Sequence, residues 1–206
     1  MGSSLYVLRR SLAAIALPIA IVLGAGRARA DTSVIKNPGD HPDYKVEVEP
    51  HVALGWGHLY RGNGFGVGGR IGIPIVQNGF VKSINNSVAI SFGLDWIRYG
   101  GCYYFDERDR FEYGCGASYF TFPATMQWNF WLTTHWSVFF EPGLYVFHGL
   151  YDDYCEGRGN RNCRYPTRTG VDPALFLGGR FHFNETIALT MRIGYPTASV
   201  GVSFLF

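Results

Sequence analysis

The sequence predicts an all-β chain: eight antiparallel strands closed into an up-and-down transmembrane barrel. Three observations carry this. Large apolar side chains alternate with small, polar or charged ones in segment after segment. Aromatic residues make up 17% and glycines number 27, yet charged residues are only 17%, against about 25% in ordinary soluble domains. Past the N-terminal stretch, no apolar run reaches the ~18 residues that a spanning helix needs.

The first segment sets Val46, Val48, Pro50, Val52, Leu54 and Trp56 against Glu47, Glu49, His51, Ala53 and Gly55. In the second, Val67, Gly69, Ile71, Ile73 and Ile75 oppose Gly68, Arg70, Gly72 and Pro74. The third places Val88, Ile90, Phe92, Leu94 and Trp96 against Ser91, Gly93 and Asp95. The fourth has Phe120, Phe122, Ala124, Met126, Trp128 and Phe130 opposite Thr121, Thr125, Gln127 and Asn129. Trp136, Val138, Phe140, Pro142, Leu144 and Val146 form the apolar face of the fifth, against Ser137, Glu141, Gly143 and Tyr145. The sixth sets Leu175, Leu177, Phe181 and Phe183 against Gly178, Arg180 and His182. The seventh sets Ile187, Leu189, Met191 and Ile193 against Thr190, Arg192 and Gly194. The eighth ends the chain, with Val200, Val202, Phe204 and Phe206 on one face.

Each segment has about the length of a tilted strand crossing a bilayer, ~9–11 residues. In every one the charges lie opposite the bulky apolar groups, so charges point into the barrel and apolar groups into lipid. Outward aromatics gather toward strand ends. Trp56, Trp96, Phe120 and Tyr195 mark one end; Trp128, Trp136, Phe183 and Phe206 mark the other. Two aromatic girdles are what a membrane barrel presents to its interfaces. The connections are asymmetric too. Residues 100–116 and 149–170 are long and polar, whereas Thr133-Thr134 and Asn184-Glu185 are tight turns and 77–86 is a somewhat longer one.

Residues 1–30 read as a signal peptide: Arg9 and Arg10, an apolar stretch over 11–24, then Ala28-Arg29-Ala30 as a cleavage pattern. Residues 31–43 are polar and turn-rich and are expected to be a flexible periplasmic tail; 44–206 form the barrel. The signal holds four arginines and no acid. Without it the chain keeps 14 basic and 16 acidic residues, a net charge of −2. Nothing in that balance points to nucleic acid.

On these residues the chain resembles the small eight-stranded bacterial outer-membrane β-barrels of the OmpA/OmpX type, over residues 44–206. The most specific element is the ending Val200-Gly201-Val202-Ser203-Phe204-Leu205-Phe206. The resemblance implies that Phe204 and Phe206 belong to a signal read by the barrel-assembly machinery. It also implies a monomer among outer-membrane lipids, and the even strand count puts both termini in the periplasm.

An eight-stranded barrel is just wide enough to be filled by side chains. The inward charged and ionisable groups Glu47, Glu49, His51, Arg70, Asp95, Glu141, Arg180, His182 and Arg192 are therefore expected to pair as a salt-bridged plug, because an isolated buried charge is very costly. A narrow proton or ion path through them is the competing reading. His135, Ser137 and Glu141 also fall on the inward alternation, and His135-Trp136-Ser137 is similar to the His-x-Ser pattern of lipid A deacylases. An inward-facing set cannot meet acyl chains from the lipid side, so the sequence reads as non-catalytic, and no cofactor or metal is expected.

Four cysteines, Cys102, Cys115, Cys155 and Cys163, follow an export signal, which favours disulfides. Pairing within each long connection is preferred, with cross-pairing open. Residues 100–116 and 149–168 combine tyrosines with mixed charges and are the expected contact points for an extracellular protein or surface ligand. The function expected is a non-catalytic outer-membrane protein displaying stapled loops for surface interaction or envelope integrity. Passive passage of a small solute, through the barrel or laterally out of it, is the alternative, and lipid A modification the third.

Overall fold

The computed structural model describes residues 31–56, 63–107, 110–156, 162–164 and 167–206. Nine strands follow in chain order: β1 (Glu47–Trp56), β2 (Asn63–Val76), β3 (Asn86–Glu107), β4 (Arg110–Trp131), β5 (Trp136–Glu156), β6 (Asn162–Arg164), β7 (Thr167–His182), β8 (Ile187–Tyr195) and β9 (Thr197–Leu205). Eight of them pair in the order β4-β3-β2-β1-β9-β8-β7-β5, and β5 returns to β4, so the ladder closes on itself. Every pairing is antiparallel. The short β6 adds only to β5, outside the ring.

Closure joins the first and last strands. Val52 lies opposite Val200 and Glu47 opposite Leu205. The carbonyl of Phe206 accepts from the backbone N–H of Lys45 and Val46, at 2.6 and 3.1 Å, and Phe206 N–H donates to Val46 at 2.9 Å. The alternation then sorts the side chains. Leu54, Phe65, Ile71, Phe122, Leu177 and Ile193 are exposed around the outside. Glu49, Arg70, Asp95, Glu141, Arg180 and Arg192 are buried within. Only hydrocarbon solvates such a surface, and only a closed barrel lets strands cross hydrocarbon with their backbone groups paired.

Proline has no N–H to give a ladder, and three prolines interrupt the pairing. The β1–β9 register skips from Val48↔Phe204 to His51↔Gly201 around Pro50. Between β3 and β4 it skips at Pro123, and between β4 and β5 at Pro142.

Inward aromatic rings sit opposite glycines on the neighbouring strand: Tyr99↔Gly64, Tyr119↔Gly149, Phe139↔Gly178, Phe147↔Gly170 and Phe176↔Gly194. The glycine lets the ring lie flat across the wall. At Gly178 a Cβ would stand 2.0 Å from Phe139 Cζ and 2.7 Å from a backbone oxygen.

Three expectations change. Residues 100–116 and 149–170 are not simply loops, since β3, β4 and β5 carry their ladders far past the barrel rim, to Glu107↔Arg110 and Glu112↔Glu156. Backbone pairing needs no apolar face, and the Tyr and Phe in this stretch favour extended structure. Residues 33–44 do not trail away as a free tail. Val34 N–H donates to Leu132 O at 3.0 Å, Asn85 N–H to Ile35 O at 2.7 Å, and Val34 and Tyr44 pack with Trp131 and Leu205. Their polar groups find partners on the barrel rim that no local pattern reveals. Tyr195, expected in an outward girdle, packs instead on Tyr145, an inward residue, with ring centroids 6.0 Å apart.

Gly178→Val is expected to cost roughly 3 kcal/mol or more through overpacking against Phe139, read as a lowered unfolding midpoint or loss of the heat-modifiable band on gels. Gly100→Ala, with nothing within 4 Å of the new Cβ, leaves both unchanged.

Candidate functional site

The interior is built in three layers. At the end where Phe206 closes the seam, Trp131 is buried, with the His41 ring stacked 5.2 Å above it at 9°. His41 Nδ1 lies 2.7 Å from Asn85 Oδ1, and Asn85 Nδ2 donates to Asp40 O at 2.7 Å. Residues 33–44 thus form a floor across this mouth.

The middle layer is ionic. Arg180 donates to both oxygens of Glu47, at 2.7 and 2.8 Å, and to Asn129 and Gln127. Arg192 forks onto Glu49 at 2.6 and 2.9 Å and reaches Glu141 at 2.9 Å. Arg70 stands 3.7 Å from Glu141. His51 lies between two carboxylates, 2.8 Å from Asp95 and 3.5 Å from Glu49. Ser203 donates to Glu47 at 2.7 Å, and Thr121 to Asp95 at 3.3 Å. Rings cover the guanidinium faces: Phe139 lies 4.6 Å from Arg180 and 5.0 Å from Arg192, and Phe176 lies 4.9 Å from Arg70. A buried ion pair offsets its desolvation only when its remaining hydrogen-bonding capacity is also met. The forks and polar neighbours meet it for Glu47, Glu49, Glu141 and Arg192, whereas Arg70 Nε and Nη1 and Arg180 Nε have no hydrogen-bond partner among the described residues.

The third layer is an aromatic lid of Ala53, Ile97, Tyr99, Ala117, Tyr119, Tyr145, Phe147, Ala174 and Phe176. Tyr99 meets Tyr119 edge to face at 5.5 Å. Above the lid, β3 to β5 rise as a raised sheet. Outside its base, Arg98 donates to Asp152 Oδ1 at 2.7 Å and to Ser118 at 3.1 Å, tying β3 to β5 across β4. That hydrogen-bonded guanidinium holds the Asp152 carboxyl below its ordinary value.

All nine residues singled out for the lumen lie buried inside the barrel. Eight join the ionic middle layer; His182 sits apart, beside the floor. His135 departs from its inward alternation. It belongs to the turn after Trp131, is exposed, and stacks on Phe181 at 6.1 Å. Ser137 pairs instead with His182, Oγ to Nε2 at 3.0 Å, beneath Trp131. Among the described residues nothing hydrogen-bonds His182 Nδ1, and Glu141 is engaged by Arg192. The serine, histidine and carboxylate named from sequence are not brought together.

The four cysteines occupy the raised sheet. Their backbone register sets Cys102 opposite Cys115 and Cys155 opposite Cys163. The first alignment depends on a bulge. The β3–β4 register slips between Tyr99↔Ala117 and Cys102↔Cys115, at Gly116 with φ +75°, a conformation that glycine adopts without strain.

This architecture can be compared with known proteins. No family model and no curated protein matches the chain. Among solved structures it is similar to Ail, the attachment invasion locus protein of Yersinia pestis, in complex with the heparin analogue sucrose octasulfate. The TM-score is 0.51 at 11% identity, over 80% of this chain and 99% of that one. Neisserial surface protein A matches with a TM-score of 0.48 at 13% identity, over 78% and 96%. The chain has the fold of the small eight-stranded outer-membrane barrels. The expected fold class and the resemblance to that type both stand.

Removing one partner of a buried ion pair strands the other, at roughly 3–5 kcal/mol. Arg180→Met is therefore expected to lower the unfolding free energy of the barrel, read from urea titration in lipid vesicles, by that much, and Glu47→Gln added to it to restore part of the loss. Planar-bilayer recordings are expected to show no unitary current. Deleting residues 33–43 leaves them silent, because the aromatic lid still closes the far side.

Proposed function

We propose that this protein is a non-catalytic, monomeric barrel of a Gram-negative-type outer membrane that presents its raised sheet for interaction at the cell surface. The observation that carries the reading is the contrast between a filled interior and an extended exterior. Floor, ionic layer and lid occupy the lumen, while β3, β4 and β5 continue well past the girdle. Transport through the barrel would require those layers to part. Catalysis by Ser137 would require a substrate to reach a group sealed under Trp131.

In this reading both termini are periplasmic and the raised sheet is extracellular. Residues 1–30 are the cleaved export signal, and Phe204 and Phe206 end the strand recognised by the assembly machinery. The stapled form of the sheet is supported by register. Directly opposed residues in an antiparallel pair have Cα atoms about 4.5–5.5 Å apart, within disulfide range. Cys115 and Cys155 are diagonal neighbours, about 7–8 Å apart, which is too far. Ail, whose structure holds a heparin analogue, makes an anionic glycan a reasonable first ligand to try against the arginines of 149–168.

Two measurements test this. Non-reducing peptide mapping is expected to yield Cys102–Cys115 and Cys155–Cys163; a Cys115–Cys155 peptide contradicts the staple. Cells displaying the protein are expected to bind epithelial monolayers or immobilised heparin. Replacing 100–116 or 149–168 by short turns is expected to reduce that binding at least several-fold while the barrel stays heat-modifiable. Binding unaffected by either replacement rejects the surface-interaction reading.

A further inference from the structure

The outer wall breaks its own pattern at the start of β3. The lipid-facing parity of this strand runs Asn86, Val88, Ile90, Phe92 and Leu94, opposite the outward residues Phe130, Trp128 and Met126 of β4. Ile90, Phe92 and Leu94 are exposed, as that parity demands, yet Val88 is 0% exposed and Asn86 only 2%. A segment on the outside of the barrel must cover them, and it is the connection from β2 to β3.

Asn86 holds that connection against the wall. Gly79 N–H donates to Asn86 O at 2.8 Å. Asn86 Nδ2 donates to the carbonyls of Val81 and Ile84, each at 2.7 Å. Asn86 Oδ1 accepts from the indole N–H of Trp128 at 2.9 Å. A Cβ at Gly79 would stand 2.1 Å from Asn86 Oδ1, so the chain passes directly over that side chain. Phe80 then sets its ring edge-on to Trp128, with centroids 5.6 Å apart. Despite this contact Phe80 is 64% exposed, and Val81, Lys82 and Ser83 are exposed beside it. The other described turns at this end carry polar tips, Thr133-Thr134 and Asn184-Glu185.

We propose that the 79–84 turn is a lipid-binding anchor, in which Phe80 and Val81 enter the acyl boundary of the adjoining leaflet and Lys82 takes the phosphate of an anionic phospholipid. Two observations favour a lipid over a soluble protein. The apolar tip is continuous with surface already assigned to hydrocarbon: the exposed stripe Ile71, Ile73 and Ile75 of β2 leads into it, and Phe80 rests on a girdle tryptophan. Among the described residues no carboxylate pairs with Lys82, so its ammonium is available to a phosphate. Aromatic residues and lysine sort in this way at a membrane interface, the ring at the acyl boundary and the lysine head among the headgroups. In the orientation proposed above this is the periplasmic leaflet. The anchor depends neither on that orientation nor on the raised sheet, which stands at the opposite end of the barrel.

The test reads backbone amide resonances of the mature chain in nanodiscs of phosphatidylcholine, with and without phosphatidylglycerol. A lipid bearing a nitroxide near its headgroup is expected to broaden the amides of Phe80 and Val81. A water-soluble gadolinium chelate is expected to spare them while broadening Asn37 and Gly39. Phosphatidylglycerol is expected to shift the Lys82 and Ser83 amides. Lys82→Gln weakens that response roughly fivefold, the share one lysine supplies at an anionic surface, and Lys82→Arg keeps it. Phe80→Ser loses the nitroxide contact while the barrel stays heat-modifiable. Gadolinium broadening of Phe80 without nitroxide broadening puts the turn in water, open to a soluble partner, and overturns the proposal. A phosphatidylglycerol response unchanged by Lys82→Gln overturns it as well.

Discussion

Hydrocarbon offers no hydrogen bonds, and every other feature of this protein answers to that. A strand crossing it must pair on both sides, so the sheet has to close. Closing with eight strands leaves a bore that side chains alone can fill. The seam between β1 and β9 is consequently as important as any strand, and the chain commits its last residue to it. Phe206 is held by three backbone hydrogen bonds to Lys45 and Val46. Pro50 removes a donor from β1 at this seam, and Pro123 and Pro142 remove donors from β4 and β5 elsewhere in the ring, which makes the remaining bonds around them matter more.

Filling the bore with ions solves one problem and creates another. Four carboxylates face three guanidiniums and a histidine, so no charge stands far from an opposite one. The planar fork of arginine suits this, since one guanidinium can hold two acids, as Arg192 holds Glu49 and Glu141. Phenylalanine rings cover the faces that the carboxylates leave. A plug so cross-linked ties β1, β3, β5, β7 and β8 together from inside the ring.

Much of this was legible from a two-residue period. Which residues face lipid, which face inward, and that the inward charges balance all follow from alternation, because hydrocarbon enforces it strictly. Alternation lost its hold where hydrocarbon ends. The raised parts of β3, β4 and β5 read as loops because their polar residues carry no lipid-facing stripe. His135 sits in a turn, where parity has no meaning. Tyr195 precedes a proline at a strand end and turns inward. Partners within the lumen were equally hidden: the pairing of Ser137 with His182, 45 positions apart, depends on which strands are neighbours around the ring.

The segment laid across the floor has a consequence for how the molecule is completed. Its contacts come from β4, from the turn before β3 and from the end of β9: Leu132, Trp131, Asn85 and Leu205. The β3–β4 hairpin already offers Asn85, Trp131 and Leu132 side by side, and only Leu205 comes from the closing strand. The segment 33–44 therefore gains its last apolar contact when the final strand has met the first, so its seating is complete as a latch only on a finished cylinder.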